Sequence, residues 1–151
     1  MKPGLLPNLS SNFREGKRSK KNVMTNEHTK ILVVDDERDI KSLFEMKFRR
    51  EIRKGEFSFS FAFSGEEALD YMEVHASEVV LILSDINMPG MSGIELLKRL
   101  RVNYPSPHPK VMMVTAYNDD DYYQLAFRNG ANDFLTKPID FTKLKEKLQT
   151  L

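Results

Sequence analysis

Four apolar runs and a shorter fifth recur along the chain, and each is followed by a polar break and a stretch of helical periodicity. They cover Lys30 to Val34, Phe57 to Phe63, Val79 to Leu83, Val111 to Val114 and Asp133 to Thr136. Val79 to Leu83 is continuous and bounded by Ser84-Asp85 and Pro89-Gly90. Such a run predicts a strand buried on both faces, as in a parallel sheet. The second run differs. Phe57, Phe59, Phe61 and Phe63 alternate with Ser58, Ser60 and Ala62, the period of a strand with two unlike faces. The aromatic stripe reads as core and not as a ligand platform. The small, polar face predicts a strand at a sheet edge or partly exposed.

Between the runs the period becomes helical. Ile40, Leu43, Phe44, Lys47, Phe48 and Ile52 predict one amphipathic helix from Glu37 to Lys54, with Gly55 as its C-cap. Ser64, with Glu67 at the capping-box position, opens a second helix whose inner face is Ala68, Leu69 and Met72. Ser92 to Glu95 opens a third, buried through Ile94, Leu97 and Leu100. Pro105, Pro107 and Pro109 then predict a stiff, extended connection. Asp119 to Asn129 is the fourth helix, acidic at its N-terminus as the macrodipole favours, and Gly130 closes it. Phe141, Leu144 and Leu148 mark a last helix that runs to Leu151. Five βα repeats predict an α/β fold: a parallel five-stranded sheet with right-handed crossovers and helices on both faces.

Composition narrows the possibilities. The 151 residues suit one domain, and 40% hydrophobic with 30% charged residues suits an ordinary globular one. No apolar run approaches the roughly 18–20 residues of a membrane span, and no signal-peptide core opens the chain, so the cytoplasm is the expected location. The absence of cysteine excludes disulfides, thiol catalysis and cysteine-ligated metals. His28, His75 and His108 lack metal-ligand spacing and read as surface residues. The net charge of +1 conceals an asymmetry. Residues 1–28 hold six Lys/Arg against two Glu, which leaves 17 basic and 20 acidic residues, or −3, for the rest. Residues 1–28 are therefore expected to be a basic, disordered extension, solvated and not a ligand-binding tail, ahead of a folded domain at 29–151. Met24 opens a segment that would itself make a reasonable protein start, and a true start there is one hypothesis.

The chemically distinctive residues all follow strands. Asp35 and Asp36 follow the first, Asp85 the third, Thr115 the fourth and Lys137 the fifth. Parallel strands bring those ends side by side, where open α/β sheets build their sites. Alone, Asp85 could equally cap a turn; its coincidence with the other strand ends makes it a site residue. Two like charges about 4 Å apart repel by roughly 4 kcal/mol at an effective dielectric near 20, so the three carboxylates need a cation or a proton. Oxygen-only ligands favour a hard divalent ion, and Mg²⁺ fits best. A metal beside a carboxylate and a lysine is an arrangement for phosphoryl transfer, with Asp as the nucleophile that forms an acyl phosphate.

Residues 30–151 resemble a response-regulator receiver domain of two-component signalling, the family of the chemotaxis regulator. The resemblance rests on ILVVDDE at 31–37, LSDINMPGMSGIELLKRLR at 83–101, VTA at 114–116 and GANDFLTKP at 130–138, four motifs in the right order and spacing. It implies a flavodoxin-like (βα)5 three-layer sandwich with strand order 2-1-3-4-5. It also implies Asp85 as phospho-acceptor, with Mg²⁺ held by Asp36, Asp85 and the Asn87 carbonyl, and by Asp35 through water. Lys137 then pairs with the phosphoryl group, and the Lys137–Pro138 bond is expected to be cis. Thr115 bonds a phosphoryl oxygen, Ala116 leaves room for that motion, and Phe134 is the switch aromatic. Asn87 and Tyr117, each two residues past a site residue, flank the hydrolytic water's path; bulky Tyr117 is expected to slow loss of the phosphoryl group.

The resemblance implies a switch that catalyses its own phosphorylation and dephosphorylation and is not a metabolic enzyme. The expected donor is a sensor histidine kinase or a histidine phosphotransfer protein. The expected readers of the 119–151 surface are a downstream effector, a fused output domain or a second copy in a homodimer. Tyr122 and Tyr123 lie near that surface, one of them expected to pack inward. A metal-dependent phosphatase or transferase using Asp85 is the competing enzyme reading; Asn87 stands where its general acid is needed. An unphosphorylated binding module is a third, disfavoured by the complete set of site residues. Neither a helix-turn-helix nor a basic groove is legible in 30–151, so no nucleic-acid partner is expected for this chain.

Overall fold

The computed structural model describes residues 29–116 and 120–151. The expectations for the 1–28 extension, the Met24 start and Tyr117 lie outside those residues. Strands β1 (Thr29–Val34), β2 (Phe57–Ala62), β3 (Val79–Asp85), β4 (Lys110–Thr115) and β5 (Asp133–Thr136) form one parallel sheet of order β2-β1-β3-β4-β5. This is the flavodoxin-like order, with β2 at an edge.

Strand alternation builds two cores from one sheet. Leu32, Val34, Ile82, Val111 and Met113 point to one face. There they meet α3 (Gly65–His75), α4 (Gly93–Asn103) and α5 (Asp120–Arg128) through Ala68, Met72, Leu96, Leu97, Leu100 and Ala126. Ile31, Val33, Leu81, Leu83, Met112, Val114 and Leu135 point to the other, against α1 (Asp39–Lys47) and α6 (Phe141–Leu148). Phe44 is central to that second core. Its ring lies 5.3–6.2 Å from those of Phe48, Phe59, Phe61 and Phe141. The aromatic stripe of β2 thus packs on the core, as its period predicts, with Phe57 buried and Phe59 and Phe61 half-buried. On the opposite face Ser60 shares a hydrogen bond of 2.8 Å with the Tyr71 hydroxyl.

Two local expectations need correction. The helix predicted over Glu37 to Lys54 is broken: α1 ends at Lys47 and a short α2 (Arg49–Arg53) follows. No Pro or Gly stands at the break. Phe48 leaves helical geometry (φ −108°, ψ 19°) with its ring fully buried beside Phe44 and Phe57, while Phe48 N–H still bonds Phe44 O at 2.9 Å. That ring takes its place in the core, and Ile52, predicted to face the core, is left 37% exposed. The proline-rich connection is a turn and not an extended spacer, closed by His108 N–H to Pro105 O at 3.3 Å. Its compactness comes from Arg101, whose guanidinium spans the Tyr104 and Pro109 carbonyls.

The predicted caps are in place. Glu67 N–H donates to Ser64 Oγ at 3.0 Å, and the Glu67 carboxylate accepts from Phe63 N–H, one residue before the cap, at 2.8 Å. Glu95 N–H donates to Ser92 Oγ at 3.1 Å. Gly55 and Gly130 end their helices at φ 77° and 102°, where a Cβ is strained. Of the histidines, His108 is exposed and His75 half-buried.

Candidate functional site

The charges of the site stand at or just past the carboxyl ends of β1, β3 and β5. Asp35 N–H bonds Ala62 O at 3.1 Å, Ile86 N–H bonds Val114 O at 2.9 Å, and Lys137 N–H bonds Thr115 O at 2.8 Å. These bonds extend the ladders just past the strands and hold Asp35, Asp85 and Lys137 in register. Lys137 Nζ lies 3.2 Å from Asp85 Oδ2 and 3.4 Å from Asp35 Oδ2. Oxygens of Asp35, Asp36 and Asp85 all lie within 4.8 Å of one another. Asp35 and Asp85 are buried, at 4% and 5% exposure, and Asp36 is not.

One ammonium therefore pairs with two members of a cluster of three carboxylates. Burial pushes the Asp85 carboxyl above its ordinary range; the Lys137 charge opposes this, the Asp35 charge adds to it, and hydrogen bonds from Lys137 and the Asn87 N–H oppose it. Burial works to lower the Lys137 ammonium, but the charges of Asp85 and Asp35 outweigh it and hold it above its usual value. A buried carboxylate cluster with excess negative charge and only oxygen donors is a site that fits a hard divalent cation, and Mg²⁺ in particular. The cluster can hold such an ion without a change of ligand type.

Thr115 is buried at the end of β4, and the Lys137–Pro138 bond is cis. Asn87 is exposed in the loop after β3. Phe134 is half-buried on β5, its ring 4.4 Å from Tyr123 and 5.6 Å from Phe127 on α5. Tyr122 packs partly on the apolar core, so the two tyrosines divide between core and Phe134.

Several supports of the site carry no motif signature. Glu37 N–H donates to Asp35 Oδ1 at 2.9 Å, which leaves Oδ2 to Lys137. Ser84 Oγ donates to the Asp85 carbonyl at 3.0 Å. Gly93 N–H bonds Ile86 O at 2.8 Å, and a Cβ on Gly93 would overlap the Asp85 main chain. A Cβ on Gly65 would likewise press on Met91, at the base of the same loop. The glycines were legible as turn and cap residues; their close contacts were not.

A flavodoxin-like sheet with an oxygen-only acidic centre and a lysine at its carboxyl end defines a class of α/β signalling domain. Residues 31–149 match the response regulator receiver domain family, and the chain belongs to it. It is 34% identical over 122 residues to the transcriptional regulatory protein CpxR of Escherichia coli, covering 81% of this chain and 48% of that one. It is 35% identical over 120 residues to sporulation initiation phosphotransferase F of Bacillus subtilis, covering 80% and 90%. The chemotaxis protein CheY4 of Vibrio cholerae superimposes with a TM-score of 0.70 at 27% identity, over 82% of this chain and 98% of that one. The chain thus spans about half the length of CpxR. Receiver domains are signalling modules and not metabolic enzymes. Among the described residues, no helix is long and apolar enough to cross a membrane.

Proposed function

We propose that Asp85 accepts a phosphoryl group from a phosphohistidine on a sensor histidine kinase or a histidine phosphotransfer protein, and that the acyl phosphate switches the 119–151 surface. The observation that carries this reading is the pairing of one half-buried lysine with two buried aspartates, at 3.2 and 3.4 Å, beside a third carboxylate. An Asp85 carboxylate oxygen attacks phosphorus, the P–N bond breaks, and its electron pair stays on the imidazole nitrogen. A bound Mg²⁺ supplies positive charge for the phosphoryl oxygens. Asp36, Asp85 and the Asn87 carbonyl are the residues that would hold it, with Asp35 acting through water.

Lys137 moves from pairing carboxylates to pairing a phosphoryl oxygen, and the Thr115 hydroxyl bonds another. Only interactions that differ between two arrangements of Thr115, Phe134 and α5 shift their populations. Phe134 is suited to that role because its ring is gripped by Tyr123 and Phe127 of the same helix. The readers of the surface are a downstream effector, an output domain or a second copy of the chain. Asn87 and Tyr117 tune the lifetime of the phosphoryl group; for Tyr117 this rests on its position in the sequence.

The test is incubation with acetyl phosphate and Mg²⁺ followed by mass spectrometry of the intact protein and its peptides. One phosphoryl group on Asp85, lost in Asp85→Asn, is expected. Unmodified Asp85 under conditions that label a control receiver overturns the reading. Tyr117→Ala is expected to shorten the phospho-Asp85 half-life, and an unchanged half-life removes Tyr117 from the account.

A further inference from the structure

The domain from residue 29 onward is mildly acidic, yet four of its 17 basic residues stand together in one short stretch. Arg49, Arg50 and Arg53 lie on α2, and Lys54 follows it. All four are exposed, and among the described residues none of them makes an ion pair. Glu51, the acid within α2, is engaged with Lys145 at 3.1 Å. The patch lies near the amino end of β2, away from the carboxyl ends that carry Asp85.

A groove of about 580 Å³ runs between this patch and the edge strand. Arg49, Ile52 and Arg53 form its wall and Phe57, Phe59 and Phe61 its floor; Glu45 is the acid in its lining. Among the described residues, β2 pairs with β1 alone. Thr29 N–H reaches Glu56 O and Asp35 N–H reaches Ala62 O, so the even-numbered residues of β2 turn their main chain to β1. Strand alternation then turns the N–H and C=O groups of Phe57, Phe59 and Phe61 to the open edge.

We infer that this edge docks an extended, acidic segment of a partner protein, added to β2 as a further strand. The stretch Phe57 to Phe61 offers donors and acceptors in alternation over roughly 13 Å, which a peptide main chain matches. Apolar side chains of the segment cover Ile52 and the phenylalanine floor, and its carboxylates meet Arg49 and Arg53. The phosphates of a nucleic acid or a lipid surface accept hydrogen bonds but donate none, so they satisfy the cations and leave the strand edge unmade. A second copy of this chain brings the same surplus of positive charge to both sides of a twofold contact.

The test uses the full chain and a fluorescein-labelled short peptide of alternating glutamate and valine, read by fluorescence anisotropy. Saturable binding is expected, weakened about tenfold or more in the Arg49→Glu/Arg53→Glu variant, with far-UV circular dichroism unchanged. Replacing glutamate by lysine in the peptide, or N-methylating its main chain, is expected to weaken binding by a similar factor. Amide exchange at Phe57, Phe59 and Phe61 is expected to slow at saturation. The inference is overturned by absence of saturation at millimolar peptide, by equal binding of the lysine peptide, or by unchanged exchange at those amides. Tighter binding of a single-stranded oligonucleotide or of phosphatidylserine vesicles also overturns it, as does a concentration-dependent dimer lost in the arginine variant.

Discussion

Gly93, the first residue of α4, lies so close to the main chain of Asp85 that no Cβ fits between them. The backbone of Asp85 is thereby set by the helix that follows it. Gly93→Ala is expected to cost about 2 kcal/mol through overpacking and to slow phosphorylation of Asp85. Gly55→Ala is the comparison: its Cβ meets nothing within 4 Å, and its strain comes only from φ 77°. It is expected to cost about 1 kcal/mol and leave phosphorylation unchanged. Urea denaturation and acetyl-phosphate labelling of the two variants separate these effects.

The Asp85 carboxyl holds its proton to a higher pH in the folded protein than in the unfolded chain, mainly because it is buried. Between the ordinary value of 3.8 and the raised one, the folded state binds more protons, so this group's contribution to stability falls as pH rises through that window. Asp85→Asn removes the effect. In chelator at pH 7 the variant is expected to be more stable by about 1 kcal/mol, or roughly 3–5 °C in Tm. The gain should shrink as pH falls toward the ordinary value. A variant that melts below the parent in chelator contradicts this account.

Divalent metal should act in the opposite sense. With Asp35, Asp36 and Asp85 already within 4.8 Å, an ion that binds only the folded state adds about 2.7 kcal/mol at a hundredfold excess over Kd. Mg²⁺ is expected to raise Tm accordingly. Asp36→Asn should lose most of that rise while changing the metal-free Tm little, because Asp36 is not buried and has no part in the Lys137 pairs. Calorimetry of both proteins with and without Mg²⁺ measures the difference.

Arg101 ties three segments together. Its guanidinium donates to the carbonyls of Gly130, Tyr104 and Pro109, at 3.0, 3.1 and 2.7 Å, and to Asn132 Oδ1 at 2.9 Å. Arg101→Ala is expected to cost about 2–3 kcal/mol, since those acceptors lose a charged donor. Arg101→Lys should recover little of it, because one ammonium cannot span a planar fork of partners. Thermal denaturation of the two variants tests this.

The β-strands and their chemistry were legible because burial on both faces demands continuous apolar runs, and a strand's last residue is marked by the first polar one. Asp35, Asp85, Thr115 and Lys137 could be placed at one end of a sheet on that basis alone. The helix after β1 was misread for an equally physical reason. Periodicity reports which residues prefer burial, and it continues through Phe48 into Ile52, but it does not report how many large rings one core can accept. Phe44, Phe48, Phe59 and Phe141 fill that space, and Ile52 is left outside.

The sequence by itself determined the five βα units, the cap at Ser64, the helix start at Ser92, and which residues meet at the carboxyl ends of the strands. These follow from local periodicity and from hydrogen-bonding groups that act within a few residues. Tertiary structure alone decided that Lys137 divides between Asp35 and Asp85, that Gly93 backs onto Asp85, and that Arg101 closes the proline turn. It also decided that Arg49 and Arg53 of α2 line the groove beside β2. Each of those is a contact between residues far apart in the chain or across a turn, settled by packing and electrostatics that no short window of sequence contains.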